Sequence, residues 1–149
     1  MFASILVGTD GSDTASTAVR HAIGLALDLN AKLQVVSAYE PTADEQRLLL
    51  ERTQVPGDIE WTVNPRAEVL ELLDRAASEA RSAGVAEVET YPRQGDAADA
   101  ILDVAEEHEA DLIVVGNKGM TGAKRFLLGS VPNKVSHHAP CSVLIVRTT

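Results

Sequence analysis

Glycines at positions 116, 119 and 129, a hydroxyl at Ser130 and three cations between them, Lys118, Lys124 and Arg125, form the chemically richest stretch of the chain. A bound phosphate needs backbone N–H groups brought close together, which favours glycine, and it gains from the positive end of a helix. The stretch follows Asp111-Leu-Ile-Val-Val-Gly, a continuous apolar run typical of a strand covered on both faces. A short helix is expected from Ser130 to about His138, stopped by Pro140. Strand, glycine-punctuated loop and helix, in that order, suit a phosphate. The loop is not a Walker A loop, because no Gly-Lys-Ser/Thr follows a four-residue spacer.

Charge supports the same stretch. The net charge is −9, yet all 22 acids lie at or before Asp111. Residues 1–115 therefore carry −14 and residues 116–149 carry +5. Four of the five late cations fall within 17 residues, which makes this the one region where an anion is welcome. The acidic total argues against a nucleic-acid coat. No apolar run approaches the roughly 20 residues of a membrane span. The N-terminus lacks a basic region and meets an acid by Asp10, so it does not read as a secretory signal. A single cysteine, Cys141, excludes an internal disulfide and a multi-thiolate metal site, and suits a reducing cytoplasm.

The elements that must position this loop follow from periodicity. The sequence predicts a strand over Phe2–Gly8 and a tight turn over Gly8-Thr-Asp-Gly-Ser-Asp. Ser12 or Asp13 caps a helix whose apolar face is Ala15, Ala18, Val19, Ala22, Ile23, Ala26 and Leu27, ending near Asn30. Lys32–Tyr39 reads as the second strand. A helix is expected from about Arg66 to Ser82, closed by Gly84. Val85–Arg93 is a weaker strand, and Asp96 caps the helix after it. Ser142–Arg147 is the last strand. Residues 40–65, with Pro56-Gly57, Asn64-Pro65 and Trp61, are too long for an idle loop and form a candidate lid, with Leu48–Leu50 on a short helix.

Strands alternating with helices predict one α/β domain over residues 1–149, three layers deep with a parallel sheet. In such open sheets, ligands sit beyond the carboxyl ends of the strands, at the switch point. Three strand ends therefore matter: Gly8-Thr9-Asp10-Gly11, Ala38-Tyr39-Glu40 and Gly116-Asn117-Lys118-Gly119.

Other chemistry is poorly supported. No serine lies in a Gly-x-Ser-x-Gly setting, and no carboxylate pair is placed by spacing. His137 and His138 are adjacent, so on a helix they diverge by about 100°. His21 and His108 have no partner pattern, so no metal site is expected of the histidines. Cys141 precedes an apolar strand and reads as a packed, inert thiol.

The spacing Gly116-x2-Gly119-x9-Gly129-Ser130 resembles the motif of the universal stress proteins, nucleotide-binding subtype. The opening Ile-Leu-Val-Gly-Thr-Asp-Gly-Ser and the closing His-His-Ala-Pro-Cys-Ser-Val-Leu-Ile-Val resemble that family's ends. The resemblance covers essentially the whole chain. It implies a five-stranded Rossmann-like sheet in the order 3-2-1-4-5 and a homodimer paired through the fifth strands. It further implies ATP as the ligand, or AMP or cyclic AMP instead, with room for Mg2+ beside it. By resemblance the backbone of Ala38 meets the adenine, and Asp10 and Gly116 lie near the ribose. Gly119, Gly129, Ser130 and Val131 hold phosphates, and Thr9 and Lys118 complete the set. A stress-response or signalling binding protein is implied. A slow ATPase or nucleotide-activating enzyme is the alternative, against which Gly8-Thr-Asp-Gly-Ser lacks the Ser-Gly-Gly loop of such activators. Pro132 departs from the family pattern: it supplies no N–H and disfavours a helical Val131, yet it is tolerable in a first helical turn, and the phosphate donor it removes leaves room for AMP or cyclic AMP.

Overall fold

The computed structural model describes residues 1–39, 65–117 and 130–148. The elements in chain order are β1 (Ser4–Gly8), α1 (Asp13–Leu29), β2 (Lys32–Tyr39), α2 (Pro65–Ala83), β3 (Val88–Gln94), α3 (Ala97–Glu107), β4 (Leu112–Gly116), α4 (Ser130–His138) and β5 (Ser142–Val146). All strand pairs are parallel, and the sheet runs β3-β2-β1-β4-β5. The predicted strand order is the one found.

Register follows from the apolar runs. Ile5, Leu6 and Val7 pair with Leu33, Gln34 and Val35 on one side and with Leu112, Ile113 and Val114 on the other. Ile5, Val7, Leu33, Val35, Leu112 and Val114 face one core, roofed by α1 and α2 through residues such as Ala22, Ile23, Leu73 and Ala77. Leu6, Val36, Ile113 and Val115 face the other, under Ile101 and Val104 of α3 and Val135 of α4. A sheet covered on both faces needs strands apolar on both faces, and β1 and β4 meet that need.

The caps explain the helix limits. Ser12 accepts from Ala15 N at 3.2 Å and starts α1. Asn30, left-handed at φ 53°, ends it, and Asp96 caps α3 by accepting from Asp99 N. Pro65 opens α2, where a missing N–H costs nothing. Asp111 ties the sheet's near end by accepting from Ala3 N and Ser4 N at 2.8 and 3.0 Å.

One boundary is corrected. The third strand begins at Val88, not Val85. Val85 is instead drawn back onto α2, its N–H donating to Ala80 O at 3.1 Å. The helix expected from Ser130 includes Val131 despite the proline after it. The first turn of a helix has no internal partner for its N–H groups, so Pro132 at its third residue breaks no bond there. The candidate lid, Leu48–Leu50 and Trp61 lie outside the described residues.

Candidate functional site

β1 and β4 are adjacent, yet the chain leaves β1 toward β2 and returns to β4 on the other side. This is the switch point of the sheet. Beyond the carboxyl ends of these strands lies a cleft lined by Gly8, Thr14, Ala15, Val115, Gly116, Val131 and Pro132. Gly8 and Gly116 end the two strands, so the floor of the cleft is bare backbone. Thr14 and Ala15 belong to the first turn of α1, and Val131 and Pro132 to the first turn of α4. Two helix amino ends, each carrying roughly half a positive charge, thus meet across one opening.

The turn between β1 and α1 is built by short-range hydrogen bonds. Thr9 is buried; its N–H donates to Val36 O at 3.0 Å, and its Oγ1 accepts from Gly11 N at 3.1 Å. Asp10 Oδ1 accepts from Ser12 N at 2.9 Å. Among the described residues nothing binds its other oxygen, and the side chain is exposed. Gly11 sits at φ +83°, and a Cβ there would come within 3.0 Å of Leu72 Cδ1 on α2. The positive φ is what favours glycine at that point, since the leucine methyl belongs to a flexible side chain that can shift.

Thr9, Asp10, Gly116, Ser130 and Val131 all stand at the carboxyl ends of β1 and β4 or the start of α4. Ala38 is half-buried near the end of β2, one strand away. Lys118, Gly119 and Gly129, with Lys124 and Arg125, lie outside the described residues. Lys134 is directed elsewhere. Its ammonium binds Asp99 at 2.7 Å and lies 3.6 Å from Asp96, fastening α4 to α3. The hydrogen bond to Asp99 holds its pKa above the ordinary lysine value. Burial, helped by the Asp111 charge, pushes the Cys141 thiol up, away from the thiolate form.

The sequence expectations gave Thr14 and Thr148 no place near the site, put Ala15 only on the apolar face of α1 and named Asn117 only as part of a strand end. Once Ser12 is the cap, Thr14 must fall in the first turn of α1, so its place was available in the sequence. The meeting of Asn117 with Thr148 was not, because it depends on how β5 lies beside β4.

The profile of the Universal stress protein family matches residues 1–147. The chain belongs to the universal stress protein family. A universal stress protein of Mycobacterium tuberculosis is 40% identical over 148 residues, 99% of this chain and 98% of its own. A crystal structure of a universal stress protein in complex with cAMP is 35% identical, with a TM-score of 0.72 and coverage of 99% of this chain and 98% of that one. The universal stress protein of Archaeoglobus fulgidus in complex with dAMP is 25% identical, with a TM-score of 0.67 and 98% coverage of both chains. This universal stress protein thus shares its three-layer sheet with relatives solved around adenine nucleotides.

Proposed function

We propose that the protein binds an adenine nucleotide in the cleft between β1 and β4, ATP by preference, and works as a stress-response or signalling binding protein. The observation that carries the reading is the cleft itself: two helix amino ends and two strand-end glycines face one opening. Its sheet is that of a cAMP complex 35% identical to this chain. Asp10 fits a ribose role because one carboxylate oxygen is committed to the turn and the other is available to ribose hydroxyls. The same charge repels phosphate, so the phosphates belong over Ser130 and Val131 at the start of α4. Gly119, Gly129 and Lys118 complete the phosphate side in this reading, Gly116 adjoins the ribose, and Thr9 and Ala38 adjoin the base.

Pairing of two copies through β5 and a cytoplasmic setting, suited to one unpaired cysteine, belong to the same proposal.

Calorimetric titration with ATP, AMP and cyclic AMP, with and without Mg2+, tests it. Asp10→Asn keeps the turn acceptor and removes the charge. It is expected to weaken ATP and AMP by similar factors, about tenfold, since both present the same ribose. Unchanged ATP affinity returns Asp10 to a turn residue, and no binding of any of the three by the unaltered protein ends the proposal.

A further inference from the structure

One cluster beside the cleft has no part in the roles assigned above. Asn117 directly follows β4, and its N–H donates to Val146 O at 2.9 Å, carrying the β4–β5 pairing one residue further. Its side chain then turns to the end of the chain. Oδ1 accepts from Thr148 N at 2.8 Å and from Thr148 Oγ1 at 2.9 Å. A backbone N–H only donates, so the carboxamide orientation is fixed by its partner.

These bonds lay Thr148 on Gly116. A Cβ built at Gly116 would lie 3.3 Å from Thr148 Cγ2 and 3.7 Å from the Thr14 carbonyl oxygen. Strand end, chain end and first helical turn therefore meet over one glycine, which has no side chain to keep them apart. Gly116 and Thr14 both line the cleft. Three hydrogen bonds thus tie the end of β5 and the stretch after it to the end of β4.

We propose that Asn117 and Thr148 are positioning residues of the nucleotide cleft, a latch that sets how closely the end of β4 approaches the first turn of α1. This rests on the adenine-nucleotide reading given above. The latch touches no ligand. It acts by holding Gly116 and Thr14 in the binding geometry before the nucleotide arrives, so that less ordering is needed on binding. Because it works beside Gly116, on the side assigned to the ribose, it treats ATP and AMP alike.

The experiment titrates the full chain with ATP and with AMP, in wild type, Asn117→Leu, Thr148→Val and Thr148→Ser. Asn117→Leu removes both acceptor bonds and is expected to weaken each nucleotide about tenfold. Thr148→Val keeps the shape against Gly116, loses the hydroxyl bond and is expected to weaken each about three- to fivefold. Thr148→Ser restores the hydroxyl and is expected to recover most of that loss. The rescue separates positioning from simple packing, because serine is the poorer filler and valine the better one. Equal affinities for the valine and serine variants overturn the latch, as does an Asn117→Leu protein within twofold of wild type. If Asn117→Leu does not fold, the Thr148 pair decides alone. A loss confined to ATP also overturns it. A wild type that binds neither nucleotide overturns this inference together with the function, whereas binding with unaffected variants overturns the latch alone.

Discussion

Gln34 is a polar side chain in the middle of β2 with no exposure to solvent and, among the described residues, no hydrogen-bond partner for either carboxamide atom. It lies between Leu6 and Glu89 in the sheet and shares a face with Val36, in the layer closed by Ile101 and Val104. An unsatisfied buried polar group costs about 1–3 kcal/mol, more than the packing of a long unbranched chain supplies. Gln34→Met keeps the length and flexibility of the side chain and removes the amide. Its melting temperature, read by circular dichroism, is expected to rise by about 2–4 °C, the shift that 1 kcal/mol gives a chain of this size. A lowered value would mean that the amide is satisfied within the fold. The sequence marks Leu33, Val35 and Val36 as apolar but gives no sign that Gln34 is buried, because burial of the fourth residue depends on α3, more than sixty positions later. Asp10 is the opposite case. Its position at a strand end was legible, and so was its capacity to close the turn; the structure shows the turn bond, and among the described residues nothing binds the second oxygen.

Helices were more legible than edge strands because their signals are local. Ser12, Asp96, Asn30 and Gly84 each mark a terminus by their own conformational preference. Pro132 sets two local signals against each other: it disfavours a helical Val131, yet a first helical turn tolerates proline, and the helix starts at Ser130 as expected. At β3 the alternation is weak because the strand is an edge, with only one neighbour and a polar outer fringe. Tyr91 donates to Glu89, stacks on His108 at 4.3 Å between ring centroids and lies under the Arg93 guanidinium at 6.0 Å; Arg93 pairs with Glu107 at 2.6 Å. Burial first, then the bond to Glu89, pushes the Tyr91 phenol up from 10.0 to about 12. A group whose folded pKa is raised contributes stability below its unfolded value and loses it as pH climbs through the folded one. The urea midpoint of the wild type is therefore expected to fall between pH 10 and about pH 12. Tyr91→Phe is expected to fall less over that window. Parallel falls in the two proteins would assign the loss to other groups.

At the scale of the whole molecule, the two edges of the sheet differ in kind. The β3 edge carries Glu89, Arg93 and the ring of Tyr91, and charges on an edge discourage another strand from pairing there. The β5 edge presents Leu144 and Ile145, 38% and 37% exposed, beside a half-buried Val143. An apolar, uncharged edge in a protein of net charge −9 is a pairing hazard unless something covers it, and a second copy across a two-fold axis covers both edges at once. The proposed dimer follows from that asymmetry. Ile145→Lys places a charge at the centre of the paired edge without touching the inward-facing Val146, which is 5% exposed and packs in the core. Light scattering at micromolar concentration is expected to give a dimer for wild type and a monomer for Ile145→Lys, both with the same far-ultraviolet circular dichroism. Because Val146 O receives the Asn117 N–H, the β5 edge and the nucleotide cleft share a backbone, and the monomeric variant is expected to bind ATP more weakly, about two- to fivefold. By the reciprocity of linked equilibria, saturating ATP then strengthens the dimer by the square of that factor, once for each of the two sites, measurable as a lowered dissociation constant in its presence. A wild type that is monomeric, or a variant that stays dimeric, places the contact elsewhere than β5.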